Sequence, residues 1–119
     1  MSLEKLAEEI AAFVQDRDWE QYHDPKNLAT GLAIEAAELL EVFLWTSTDE
    51  SAEHGRANRQ RVAEELGDVF IYCIMLARSL DIDLLEAGFR KLAINRGKYP
   101  VDLARGNATK YDRLEGDDA

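Results

Sequence analysis

Apolar residues recur at steps of three and four through most of the chain. Leu3, Leu6, Ala7, Ile10, Phe13 and Val14 mark one face of an amphipathic helix. Ser2 offers a hydroxyl to the free N–H groups of the first turn, so a first helix is expected over residues 2–15. DRDWEQYHDPKN follows as a loop. Asp24-Pro25 starts a second helix, which is expected to reach Trp45. The aspartate caps it, and the proline takes the first helical position, where its missing N–H costs nothing. TSTDESAEHG reads as a polar loop. A third helix is expected over residues 57–80. Asp83 with Glu86 fits a capping box for a fourth, over residues 84–95. After Gly97 the period is lost, and the chain is expected to run extended into a disordered acidic tail over residues 113–119. No stretch alternates as a half-buried strand does. The expected fold is all-α, a four-helix bundle in one domain over residues 1–112.

Two of these helices carry acid where they should carry only oil. On the second, Leu28, Leu32, Glu35, Leu39 and Val42 form one stripe, and Ile34, Glu38, Glu41 and Trp45 form its neighbour. On the third, Val62, Glu65, Leu66, Val69, Tyr72, Cys73, Leu76 and Leu80 make the core face, with Glu65, Asp68 and Tyr72 along its edge. Residues three apart lie about 60° from each other around a helix, so each acidic pair converges on one point. Antiparallel packing of the two helices brings all four carboxylates onto facing walls, with no basic neighbour expected within either helix. Ionised and unpaired there, each would suffer several kcal/mol of desolvation besides mutual repulsion. Protonation relieves part of that conflict. A hard divalent cation relieves it more completely, because oxygen ligands are what Mg²⁺ coordinates. A di-iron bundle needs Glu-x-x-His steps, whereas His23 and His54 both fall in expected loops. Zinc favours Cys/His clusters, and Cys73 is the single cysteine. Mg²⁺ is the expected ion, with Mn²⁺ as second choice. Gly31 and Gly67 also interrupt these helices, at about 1 kcal/mol each against alanine. A close helix contact or a ligand near the backbone would account for them.

Composition narrows the partners. The chain has 119 residues, 46% of them hydrophobic, which suits one globular domain. Its net charge of −10 argues against nucleic-acid binding. No apolar run approaches the roughly 20 residues of a membrane span, and the acidic start MSLEKLAEEI is unlike a signal peptide. A cytoplasmic protein is expected. The charge is uneven: residues 1–87 hold 7 basic and 19 acidic side chains, residues 88–113 hold 7 basic and 2 acidic. That basic segment suits either a solvated surface or a phosphate-bearing ligand.

The order of motifs resembles a known family. Glu35-x-x-Glu38, 26 intervening residues and Glu65-x-x-Asp68 are similar to the all-α nucleoside triphosphate pyrophosphohydrolases of the MazG-like superfamily. The segments RDWEQYH, EELGDVFIY and INRGKYP are most like its dCTP pyrophosphatase branch. The resemblance implies hydrolysis between the α- and β-phosphates of a dNTP, giving the monophosphate and pyrophosphate. dCTP or a base-modified dCTP is the implied substrate, and sanitation of the nucleotide pool the implied role. It implies Mg²⁺ held by Glu35, Glu38, Glu65 and Asp68, with Glu35 and Glu38 the candidates for general base. Lys91, Arg96 and Lys98 resemble positions that contact the triphosphate. Trp19, Trp45 and Tyr72 resemble positions lining the nucleoside pocket, with Asn95 beside it, where aromatic faces stack on a base and an amide reads its edge. Ile34 stands where many relatives have a further glutamate, and Ile10 where some have histidine. Relatives assemble as dimers or tetramers, and a homotetramer is favoured here. The competing expectation is a non-catalytic helical oligomer that binds a protein partner or a nucleotide; it would need the leucines and none of the acidic pairs.

Overall fold

A computed structural model describes residues 1–114, which are helical and loop throughout, with no strand among them. The chain divides into two compact units, one over Met1–Ile82 and one from Asp83 onward. No described helix is long and apolar enough to cross a membrane.

The first unit begins with α1, Leu3–Asp16, whose first turn is closed by Lys5 N–H donating to Ser2 Oγ at 3.0 Å. Its apolar face buries Ile10 and Val14 and leaves Phe13 half exposed. The helix stops where Asp18 adopts a left-handed φ of 54°. Trp19 N–H then donates back to the Val14 carbonyl at 3.1 Å, which folds Trp19 against Phe13. Helix α2, Pro25–Phe43, starts as its sequence predicts, with Asn27 N–H donating to Asp24 Oδ1 at 2.9 Å. The Asn27 amide also donates to the Tyr22 carbonyl at 3.0 Å and ties the preceding loop to the helix. Leu28 and Val42 are buried at its two ends, Leu28 at 2% exposure. Such burial of one leucine is worth about 1.5–3 kcal/mol.

The stretch expected as a polar loop contains a helix, α3, Ser51–Ala57. Seven residues with no apolar period give no sequence signal, and the segment is held from outside. Its His54 Nε2 lies 2.7 Å from the Val42 carbonyl, and its Gly55 sits against the Phe43 ring. His54 is therefore helical, not in a loop.

Helix α4, Arg59–Ser79, packs chiefly on α2 and also on α1, to which Arg78 Nη1 donates at the Ala7 carbonyl, 3.3 Å away. Gly31 meets Tyr72, while Glu35 and Glu38 meet Glu65. Rising numbers on α2 thus meet falling numbers on α4, so the two run antiparallel, as expected. The expected inner face of this helix needs correction. Ile74 and Ala77 are its buried residues, whereas Leu66 and Leu80 are more than half exposed. Leu66 and Phe70, with Ala63, Gly67, Val69 and Cys73, line an open apolar groove instead.

The second unit carries α5, Leu84–Lys98, with Glu86 N–H donating to Asp83 Oδ1 at 3.0 Å. It runs past Gly97, three residues beyond the expected end at Asn95. The tail is not uniformly extended: a short helix α6, Val101–Ala104, and a 3₁₀ turn, Tyr111–Arg113, interrupt it. The Tyr111 ring lies edge-on to Tyr99, and the Lys98 ammonium stands 4.4 Å from its centre. The acidic tail expected over residues 113–119 lies outside the described residues from residue 115 on.

Candidate active site

Helices α2 and α4 bring three carboxylates together. One oxygen from each of Glu35, Glu38 and Glu65 lies within 4.8 Å of the others. The cause is in the sequence: Glu35 and Glu38 are one turn apart on α2, and Glu65 faces them from the antiparallel α4. All three are partly buried. Asp68, one turn further along α4, is exposed and stays outside that triad, but its charge acts on both Glu35 and Glu65.

The electrostatics of this cluster are those of a site short of positive charge. Burial, a hydrogen bond with Glu38, and then the charges of Glu38, Asp68 and Glu65 push the Glu35 carboxyl up from 4.5 to about 7. Burial first, then the charges of Glu38 and Asp68, raise Glu65 as well. Arg61 pulls Glu65 the other way. Arg61 stands one turn before Glu65 on α4 and corrects the expectation that neither helix offers a basic neighbour. Glu41 adds a further repulsion on Glu65. Both residues were visible at helical spacing from the acidic pairs, Arg61 at i−4 of Glu65 and Glu41 at i+3 of Glu38.

Hydrogen bonding sharpens the point. Glu35 Oε2 and Glu65 Oε2 are both fully buried, and neither has a hydrogen-bond partner. A buried carboxylate oxygen without a donor is costly, and two of them in one cluster are matched by a cation that accepts oxygen ligands from both helices. The residues present therefore fit a hard divalent ion. His54 does not join them: its ring packs edge-on against Phe43, 5.8 Å between centres.

The remaining expected site residues are placed as follows. Tyr72 is half buried on α4, one turn after Asp68, with its ring against Gly31. Trp19 lies edge-on to Phe13, 5.8 Å between centres, and Arg17 covers the Phe13 ring at 3.7 Å. Trp45, just past α2, is 93% exposed. Each of the three aromatics thus has different surroundings, and Trp19 pairs with Phe13, not with Trp45 or Tyr72. Lys91, Asn95 and Lys98 follow one stripe of α5, at steps of four and three, and Arg96 lies off it. Asn95 and Lys98 are half buried; Lys91 and Arg96 are exposed.

Comparison with known proteins agrees with the geometry. Residues 31–114, which contain all four acidic positions, match the MazG-like family. The chain is 43% identical over 115 residues to dCTP pyrophosphatase 1 of Mus musculus, covering 95% of this chain and 68% of that protein. The identity to dCTP pyrophosphatase 1 of Homo sapiens is also 43%, with the same coverage. A pyrophosphatase from Archaeoglobus fulgidus, solved by crystallography, superposes with a TM-score of 0.78 at 44% identity, over 82% of this chain and 91% of that one. An all-α fold, a carboxylate cluster between antiparallel helices and these likenesses agree: the chain belongs to the MazG-like family.

Proposed function

We propose that this chain is a nucleoside triphosphate pyrophosphohydrolase that splits dCTP, or a base-modified dCTP, into the monophosphate and pyrophosphate, using Mg²⁺ or Mn²⁺. The observation that carries the metal requirement is the pair of buried, partnerless oxygens, Glu35 Oε2 and Glu65 Oε2. The substrate class follows from the relatives, which are dCTP pyrophosphatases.

Glu35, Glu38, Glu65 and Asp68 would hold the ion. When bound, it supplies Lewis-acid charge beside the phosphates and offsets their repulsion by the acidic walls. Glu35 or Glu38, the two candidates for general base, would take the proton of the attacking water. No side chain need attack phosphorus: the water displaces pyrophosphate in line, and positioning does the rest. By the family resemblance, Tyr72, Trp19 and Trp45 would serve the nucleoside and Asn95 the base edge, while Lys91, Arg96 and Lys98 would serve the triphosphate. The reaction belongs to the cytoplasmic nucleotide pool, where it removes unwanted dNTPs. Pyrophosphate release across normal and modified dNTPs tests the assignment. The highest kcat/KM is expected on dCTP or a 5-substituted dCTP. Release of single phosphates, or no turnover of any dNTP with Mg²⁺ present, would refute it.

The active form is an oligomer, with four copies favoured over two. Its support is apolar surface: Ile34, Leu40, Leu44 and Trp45 of the α2 region and Leu66 and Phe70 of α4 are 44–93% exposed. Large apolar side chains left in water favour burial against another copy. Light scattering on the eluting protein is expected to give about four times the chain mass of 13.5 kDa. A single-chain mass at micromolar concentration would rule the assembly out.

A further inference from the structure

We infer that Gly31 is a positioning residue for nucleoside binding: its bare α-carbon is the notch that seats the Tyr72 ring and so fixes where that wall of the nucleoside site stands. The inference rests on the reading of Tyr72 as a wall of the nucleoside pocket. Gly31 lies one turn before Glu35 on α2, and Tyr72 one turn after Asp68 on α4. Because the helices run antiparallel, the two meet immediately beside the carboxylate cluster. A β-carbon on Gly31 would stand 2.8 Å from Tyr72 Cζ and 2.9 Å from Cδ1, and nearer still to Cε1. Carbon atoms do not approach so closely. The obstacle is a flat ring with two torsions, not the end of a flexible chain, so any side chain at 31 turns the ring away or parts the helices.

Backbone conformation does not explain this glycine. It lies inside a helix, and among the described residues the glycine with positive φ is Gly106. Glycine is disfavoured in a helix interior, so its presence at 31 has a cost that the ring contact accounts for. Gly67 and Gly88 contrast with it: a β-carbon at either would meet nothing within 4 Å. At Gly55 a β-carbon would stand 3.2 Å from Phe43 Cε1, tight but not closed, so the approach at Gly31 is the tighter of the two. Nucleoside binding, not metal binding, is what the notch governs.

The test is a double-mutant cycle of Gly31→Ala and Tyr72→Ala, read by pyrophosphate release, Mn²⁺ affinity and melting temperature. Gly31→Ala alone is expected to raise the KM for dCTP about tenfold while kcat changes less than threefold, and to leave Mn²⁺ affinity unchanged. It is expected to lower the melting temperature. In the Tyr72→Ala background the same substitution is expected to leave KM where it is and to raise the melting temperature, since alanine is then simply the better helix former. That change of sign separates a seated ring from a general loss of packing. Turnover by the unaltered enzyme together with additive effects on KM, or a loss of Mn²⁺ affinity in Gly31→Ala, would overturn the notch alone. Absence of turnover in the unaltered protein would overturn the pyrophosphohydrolase reading and this inference with it.

Discussion

Replacing Glu38 with alanine is expected to lower kcat/KM for dCTP about a thousandfold while leaving the helices folded. The reasoning starts from three carboxylate oxygens within 4.8 Å of one another, contributed by Glu35, Glu38 and Glu65. Removing Glu38 would take away one candidate ligand and one of the charges that act on Glu35. Losing one preorganised electrostatic group costs about 10²–10³ in rate, and in the proposed mechanism Glu38 would serve the ion and stand as a candidate base. Stability should move the opposite way. Glu38 repels Glu35 and Glu65 in the metal-free protein, so its loss relieves like charge in a partly buried place. The metal-free variant is expected to melt about 2–5 °C higher than the unaltered protein at pH 8. Glu35→Gln should behave likewise, keeping the shape and discarding the charge. An inactive variant that is also less stable would mean that Glu38 holds the fold together, and a variant with a tenth of normal activity would remove it from the chemistry.

The carboxylate cluster was legible in the sequence because it broke a pattern. Glu35 interrupts an apolar stripe running from Leu28 to Val42, and the structure buries both ends of that stripe. Helix starts were legible for a similar reason: Ser2, Asp24 and Asp83 each make the local capping bond that their side chains predict. What escaped depended on residues distant in sequence. Helix α3 is too short to show a period and is held by Val42 and Phe43. The use of Gly31 is invisible without Tyr72 opposite it. Leu66 has the right spacing for a core residue, yet it faces an open groove, because periodicity identifies an apolar face and not what covers it. Lys91, Asn95, Arg96 and Lys98 carry no local signal beyond charge and helical spacing, because nothing in the neighbouring sequence says what they face.

Metal removal is expected to abolish activity and also to reverse how stability depends on pH. In the metal-free protein Glu35 titrates near 7 instead of 4.5, and Glu65 is raised too. Between about pH 4.5 and 7 the folded chain therefore holds protons that the unfolded chain has already released. Stability rises with pH only where the unfolded state binds more protons, and here the folded state does. This cluster's contribution must accordingly fall as pH rises through that window. An ion needs those same oxygens deprotonated, so it binds better as pH rises and stabilises the folded state by mass action. With several millimolar Mg²⁺ the melting temperature is expected to hold or climb from pH 5.5 to 8. With EDTA it is expected to fall over the same range, with pyrophosphate release lost and then restored by Mg²⁺ or Mn²⁺. Glu35→Gln isolates the cause: without the titrating carboxyl, the EDTA curve should flatten and the gain from added ion should shrink. Parallel pH curves with and without the ion would show that the acidic oxygens do not hold it, and the buried atoms Glu35 Oε2 and Glu65 Oε2 would then need a different partner.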